Sequence, residues 1–206
     1  MRDLPDDLIR LILAKGVFCG MRVNLITGEA WNHHRSQRAE AEARIAKLPA
    51  PTTGAERWRR DDMLQETLDI QRRNAVRLIA AGCKVTPATD SYLGDAPEFR
   101  RQPKTDELEP GSGTVLAIEG FVELGMTPMQ ALVAATANGA GATFRSKDLG
   151  TIEKGKIADL VLLTSDPLAE IHNIEKIGAV IAQGRRVDLA SLPEHPIFYK
   201  KRSTPD

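Results

Sequence analysis

Residues 83–90 read CKVTPATD, a short, largely apolar run that ends on a threonine and an aspartate. Val85 and Thr86 favour extended backbone and Pro87 tolerates it at an edge, so a strand of about five to seven residues is predicted here. Gly82 stands directly before the run, where a helix ending at Ala81 needs a left-handed cap. Upstream, residues 55–81 space Leu64, Leu68, Val76, Leu78 and Ile79 as a helix does, after a turn-rich break, PAPTTG (49–54).

The same alternation precedes that break. PDDLIRLILA (5–14) is predicted to be helical, with Pro5 in the first turn and Asp6 and Asp7 at the positive end of the dipole. Lys15-Gly16 ends it, and VFCGMRVNL (17–25) follows as a mostly apolar strand. RSQRAEAEARIAKL (35–48) reads as a solvated helix or an excursion. The order helix, strand, helix, strand with long crossings is that of parallel β/α units, not of hairpins.

Downstream of the strand, residues 90–112 form a long polar loop, either a lid or an exposed connection. Two helices are predicted next, TVLAIEGFVELG (114–125) and TPMQALVAATANGAGATF (127–144). The second opens with Thr127, Pro128 and Gln130 in the pattern of a capping box, and Asn138-Gly139 is expected to break it. GTIEKGKIADLVLLTSDP (150–167) holds a continuous apolar run, Ile157 to Leu163, typical of a strand buried on both faces. IGAVIAQGRRVD (177–188) reads as a hairpin turning at Gln183-Gly184. The tail SLPEHPIFYKKRSTPD has no period and is expected to be irregular.

Lys+Arg and Asp+Glu number 28 each, so charge gives no argument for nucleic acid or an anionic membrane as partner. No apolar run approaches the roughly 20 residues that span a bilayer. The start lacks a signal-peptide pattern, and a cytoplasmic location is expected. Cys19 and Cys83, the two cysteines, both lie in apolar runs, so buried thiols are expected and not a disulfide.

The segment from CKVTPATD, through ELGMTPMQALVAATANGA, to LGTIEKGKIADLVLL and its following DPL resembles the C-terminal part of the metal-dependent amidohydrolase superfamily, nearest its imidazolonepropionase-like and prolidase-like branch. The likeness is strongest over residues 74–188. It implies an α/β fold, a C-terminal portion of a (β/α)8 TIM barrel (about its last two β/α units) plus part of a small β-sandwich. Residues 1–148 would be the barrel region, 149–190 the sandwich and 191–206 a tail. It also implies hydrolysis of a C–N bond in a small-molecule amide or cyclic amide by water activated on a divalent metal, most commonly zinc. Asp90 falls on the family's last-strand position, where it would bind the metal and accept a proton from the attacking water. A carboxylate suits both tasks, as a hard oxygen ligand and a base. Read without the resemblance, Asp90 is an Asx-turn or capping residue after a strand.

The family's other ligands have no counterpart. No His-x-His pair occurs, and the histidines are His33, His34, His172 and His195. His33 and His34 point about 100° apart on a helix or to opposite faces of a strand, and read most simply as a solvated loop pair. A catalytic zinc takes three protein ligands, and a complete barrel takes roughly 250 residues. The chain is therefore expected to be a C-terminal fragment, inactive alone. It would self-associate or pack with a separate N-terminal barrel chain as a non-catalytic subunit, or represent a truncated gene product.

Overall fold

The computed structural model of the chain describes residues 2–64, 66–91, 108 and 111–192. Helix α1 (Asp6–Lys15) starts after Pro5 and ends at Gly16, whose φ of 63° turns the chain out of the helix. Strand β1 (Phe18–Met21) follows, then helices α2 (Gly28–Ile45), α3 (Gly54–Leu64) and α4 (Glu66–Ala80). Gly82, at φ 80°, leads into strand β2 (Lys84–Pro87). β1 and β2 pair in parallel, with Phe18 opposite Lys84 and Met21 opposite Pro87. The parallel β/α order expected from the sequence is present.

Several boundaries differ from expectation for reasons of packing. The strand expected over 17–25 stops at Met21, and Val23–Leu25 form a 3-10 turn. Val23 and Ile26 are both buried in one core with Ala117 and Phe121, and a helical path brings positions three apart to one side where a strand would alternate them. Helix α2 begins at Gly28, well before the charged segment, so His33 and His34 lie on a helix and not in a loop. The helix expected over 55–81 is seen as α3 and α4, on either side of residue 65, which lies outside the described residues.

The next helices described are α5 (Ser112–Glu123) and α6 (Pro128–Val133). The capping box at α6 is complete: the Gln130 N–H donates to Thr127 Oγ1, and the Thr127 N–H donates to Gln130 Oε1 at 2.8 Å. Asn138-Gly139 does not break the chain's winding. A π-helical turn, Ala134–Asn138, carries it into α7 (Gly139–Ala142). One apolar core joins Ile9 of α1, Met21 and Val85 of the strands, Leu78 of α4, Phe121 of α5 and Ala131 of α6.

The remaining strands, β3 (Leu160–Leu163), β4 (Ile177–Ala182) and β5 (Arg185–Arg186), form a separate antiparallel sheet in that order. Gln183 at φ 52° and Gly184 at φ 78° make the tight turn between β4 and β5, the doubly left-handed turn that suits a twisted hairpin. The expectation of a strand buried on both faces fails for β3. Val161 and Leu162 point to opposite faces and are 57% and 48% exposed. A buried apolar run requires a complete layer on each side, and the described residues cover Leu160 and Leu163 only in part. No described helix is long and apolar enough to cross a membrane.

Candidate functional site

The C-terminal ends of β1 and β2 lie side by side, and the Ala88 N–H donates to Met21 O at 2.9 Å, extending their register. Two segments leave this edge. One is Arg22 and the turn Val23–Leu25; the other is Ala88, Thr89 and Asp90.

The first segment is fixed by burial. Val23 is fully buried, and Thr27 Oγ1 donates to Val23 O at 2.7 Å. Helix α5 approaches Thr27 through Gly120, where an added Cβ would lie 2.3 Å from Thr27 Oγ1. With Val23 anchored, its neighbours Arg22 and Asn24 both reach the second segment. Asn24 Nδ2 donates to the Thr89 carbonyl at 2.9 Å, and Arg22 Nη1 donates to Asp90 Oδ2 at 2.8 Å. Ser91 Oγ donates to Thr89 Oγ1 at 2.9 Å. Asp90 has φ 56°, a left-handed conformation that acids and asparagines tolerate better than other side chains. The turn at the end of β2 is thus clamped at its backbone by Asn24 and at its carboxylate by Arg22. The Arg22 and Asp90 side chains are 39% and 61% exposed, so the pair adds little stability and its effect is chiefly positional.

Asp90 therefore stands at the end of the parallel pair, where barrel enzymes gather catalytic groups. Among the described residues no histidine is its partner. His34 is buried on α2, with Nε2 3.2 Å from Asp69 Oδ2 of α4 and its ring against Trp31. Arg38 ion-pairs the same Asp69 carboxylate, and Arg72 stacks over Trp31, so His34 belongs to the seam between α2 and α4. His33 is exposed on the same helix. His172 lies in the 3-10 turn Ile171–Glu175, with Nδ1 2.7 Å from Glu119 Oε1 of α5. Glu119 holds the His172 imidazolium by hydrogen bond and charge and raises its pKa above the ordinary value. His195 and residues 92–107, 109 and 110 of the loop lie outside the described residues.

A cleft of about 950 Å³ runs between Thr27, Glu29, Glu119, Glu123 and His172. Two of its acids have partners: Glu119 has His172, and Glu123 takes both Arg72 and the Gly28 N–H. Among the described residues no group of three or more His, Cys, Asp or Glu side chains is placed to hold a metal ion. The divalent metal implied by the sequence does not fit the donor set that the described residues present at this strand end: one carboxylate, already bound by a guanidinium. The sequence pointed to Asp90 but not to Arg22, which holds its carboxylate, nor to Asn24, which holds the Thr89 carbonyl. The signal was there only as polar residues inside an expected apolar strand.

A model of the amidohydrolase family matches residues 2–187. The chain is 38% identical over 117 residues to an imidazolonepropionase of Geobacillus sp. (strain WCH70), covering 55% of this chain and 25% of that protein. It is 37% identical over 119 residues to one of Anaeromyxobacter sp. (strain K), covering 56% and 25%. Among solved structures, phenylurea hydrolase B superposes with a TM-score of 0.66 at 25% identity, covering 96% of this chain and 39% of that one. Molinate hydrolase gives 0.65 at 24% identity, covering 98% and 40%. The chain thus spans about a quarter of the length of these curated relatives. With nearly its whole described length matched and the same α/β arrangement in its structural neighbours, this chain belongs to the amidohydrolase family.

Proposed function

We propose that the chain is a part of an amidohydrolase that carries the last two β/α units of a (β/α)8 barrel, within residues 1–148, and part of a small β-sandwich, within 149–190, with 191–206 as a tail. The complete enzyme hydrolyses a C–N bond of a small amide, and the imidazolonepropionase likeness favours a cyclic one. The observation that carries this reading is the parallel β1–β2 pair with Asp90 at its C-terminal end. The superfamily generally uses a divalent metal, which supplies Lewis-acid polarisation and an activated water when bound. In the complete enzyme Asp90 would be this chain's ligand to such a metal, and the described residues place no cluster of further ligands beside it. The test is hydrolysis of a panel of cyclic and open-chain amides by the chain alone and by the chain co-expressed with the N-terminal part of an imidazolonepropionase. Turnover only in the complex, lost in Asp90→Asn, supports the reading. Turnover by the chain alone, unchanged in Asp90→Asn, defeats it.

A second reading, a non-catalytic subunit packing with a separate barrel chain or a second copy, is favoured by the surface around β1. Leu8, Leu11, Leu13 and Val17 are exposed on α1 and just before β1, and among the described residues β1 has a strand on one side only. The Phe18 and Gly20 backbone groups point away from β2, as the Ala88-to-Met21 bond fixes the alternation. Sedimentation of the purified chain should show association. A monomer with one cooperative melt speaks against it.

A further inference from the structure

The parallel strand pair brings the chain's two cysteines together, both as free thiols. Cys19 lies in register with Val85, and Cys83 stands two residues before Val85. Alternation therefore puts both thiols on one face of the sheet, one step apart along the strands. Burial agrees, since Cys83 and Val85 belong to the apolar core and Cys19 packs against it. A strand spacing of about 4.8 Å and a two-residue rise of about 6.6 Å set the two Cα atoms about 8 Å apart. That exceeds the roughly 7 Å that a disulfide spans without backbone movement. A wider link fits. Two sulfurs bonded in line to one ion stand about 4.6 Å apart, twice a metal–thiolate bond of about 2.3 Å. The thiols are near enough that each acts on the ionisation of the other.

The surroundings select the ion. Among the described residues no group of three or more His, Cys, Asp or Glu side chains is placed to hold a metal, so an ion that takes four such ligands, as structural zinc does, is not served. The face is apolar, which favours a bound unit without net charge. Two thiolates and one divalent ion are neutral, whereas a monovalent ion would leave a buried negative charge. Burial raises the pKa of both thiols, and charge on Cys19 raises that of Cys83 further. One dication shared between them removes both penalties.

We infer that Cys19 and Cys83 form a single dithiol site for a soft divalent cation that binds two thiolates in line, held as a neutral bridge between β1 and β2. Two metal–sulfur bonds form, two S–H bonds break, and two protons leave to solvent, with no electron exchanged. The site is separate from Asp90 and independent of the hydrolase reading.

Titration of the purified full chain with Hg²⁺ against a monothiol competitor provides the test, followed by native mass spectrometry and circular dichroism. The native chain should take one ion with the loss of two hydrogens, keep its circular dichroism, and have both cysteines protected together from alkylation. Cys19→Ser and Cys83→Ser should each bind the ion about a hundredfold more weakly, the low end of the gain from linking two binding events. Cys19→Ala and Cys83→Ala carry the comparison if a serine variant loses its native circular dichroism. Two ions per native chain, protection of one cysteine alone, or single variants that hold the ion as firmly as the native chain overturn the shared site. Loss of the native circular dichroism on binding overturns it too, because the ion would then be taking thiols from an opened chain.

Discussion

Asn138 Nδ2 donates to the Val85 carbonyl at 3.0 Å, across from the side of β2 that pairs with β1. The bond from the Ala88 N–H to Met21 O sets the alternation, so Val85 and Pro87 turn their backbone groups outward. Asn138 takes one outward carbonyl, and Pro87 has no N–H to offer a further strand. The outer edge of β2 is therefore largely closed from within the chain, and the last residue of the π-helical turn closes it. Asn138→Ala leaves the buried strand's carbonyl without this donor and should cost about 0.5–1.5 kcal/mol in urea denaturation. An unchanged midpoint would mean that solvent replaces the amide freely.

His172 ties the turn before β4 to α5 through Glu119. The imidazole is largely exposed, but the neighbouring Glu119, with Glu170 and Glu175 farther off, raises its pKa. A raised folded-state pKa means that the contribution to stability is present below the unfolded value, about 6.5, and is lost as pH rises through the folded value. The native chain should therefore lose more stability than His172→Gln between about pH 6 and pH 8. Parallel denaturation curves for the two across that window would refute the linkage.

Gly120 allows α5 to lie against Thr27, which holds the turn that carries Arg22 and Asn24. An alanine there must push Thr27 away, an overpacking that typically costs about 1–3 kcal/mol. Gly120→Ala should lower the denaturation midpoint accordingly. Because Thr27 moves with the Val23 turn, it should also weaken the clamp on Asp90, seen as shifted Thr89 and Asp90 amide resonances. A destabilised chain with those resonances unmoved would separate the core from the strand end.

Cys19 and Cys83 are free thiols on one face of the strand pair, and burial raises the pKa of both. Thiolate is the reactive form, so both should modify slowly at neutral pH. Cys19, the less buried, should react first, with a rate that climbs at alkaline pH. A fast reaction at pH 7 would show that the strands open.

Local chemistry was legible in the sequence where it acts over a few residues. Thr127, Pro128 and Gln130 announced the α6 capping box, Gly82 the end of α4, and Gln183-Gly184 the hairpin turn. Asp90 was placed at a strand end because the run before it is short and bounded. Burial was not legible, because it depends on what lies opposite in space. His34 sits in a strongly polar segment and is 3% exposed, since Asp69 and Trp31 receive it. Val161 and Leu162 look like interior residues and are largely exposed, while Leu160 and Leu163 beside them are half-buried. Arg22 and Asn24 escaped notice because their partners stand 68 and 65 positions away.

The sheet of β3, β4 and β5 shows what its own side chains demand. Val161 and Leu162 face opposite ways, and both are apolar. A sheet that is one wall of a structure alternates an oily side with a wet one, and this one does not. Among the described residues, the middle of β3 therefore offers an apolar side chain to water on each of its two faces.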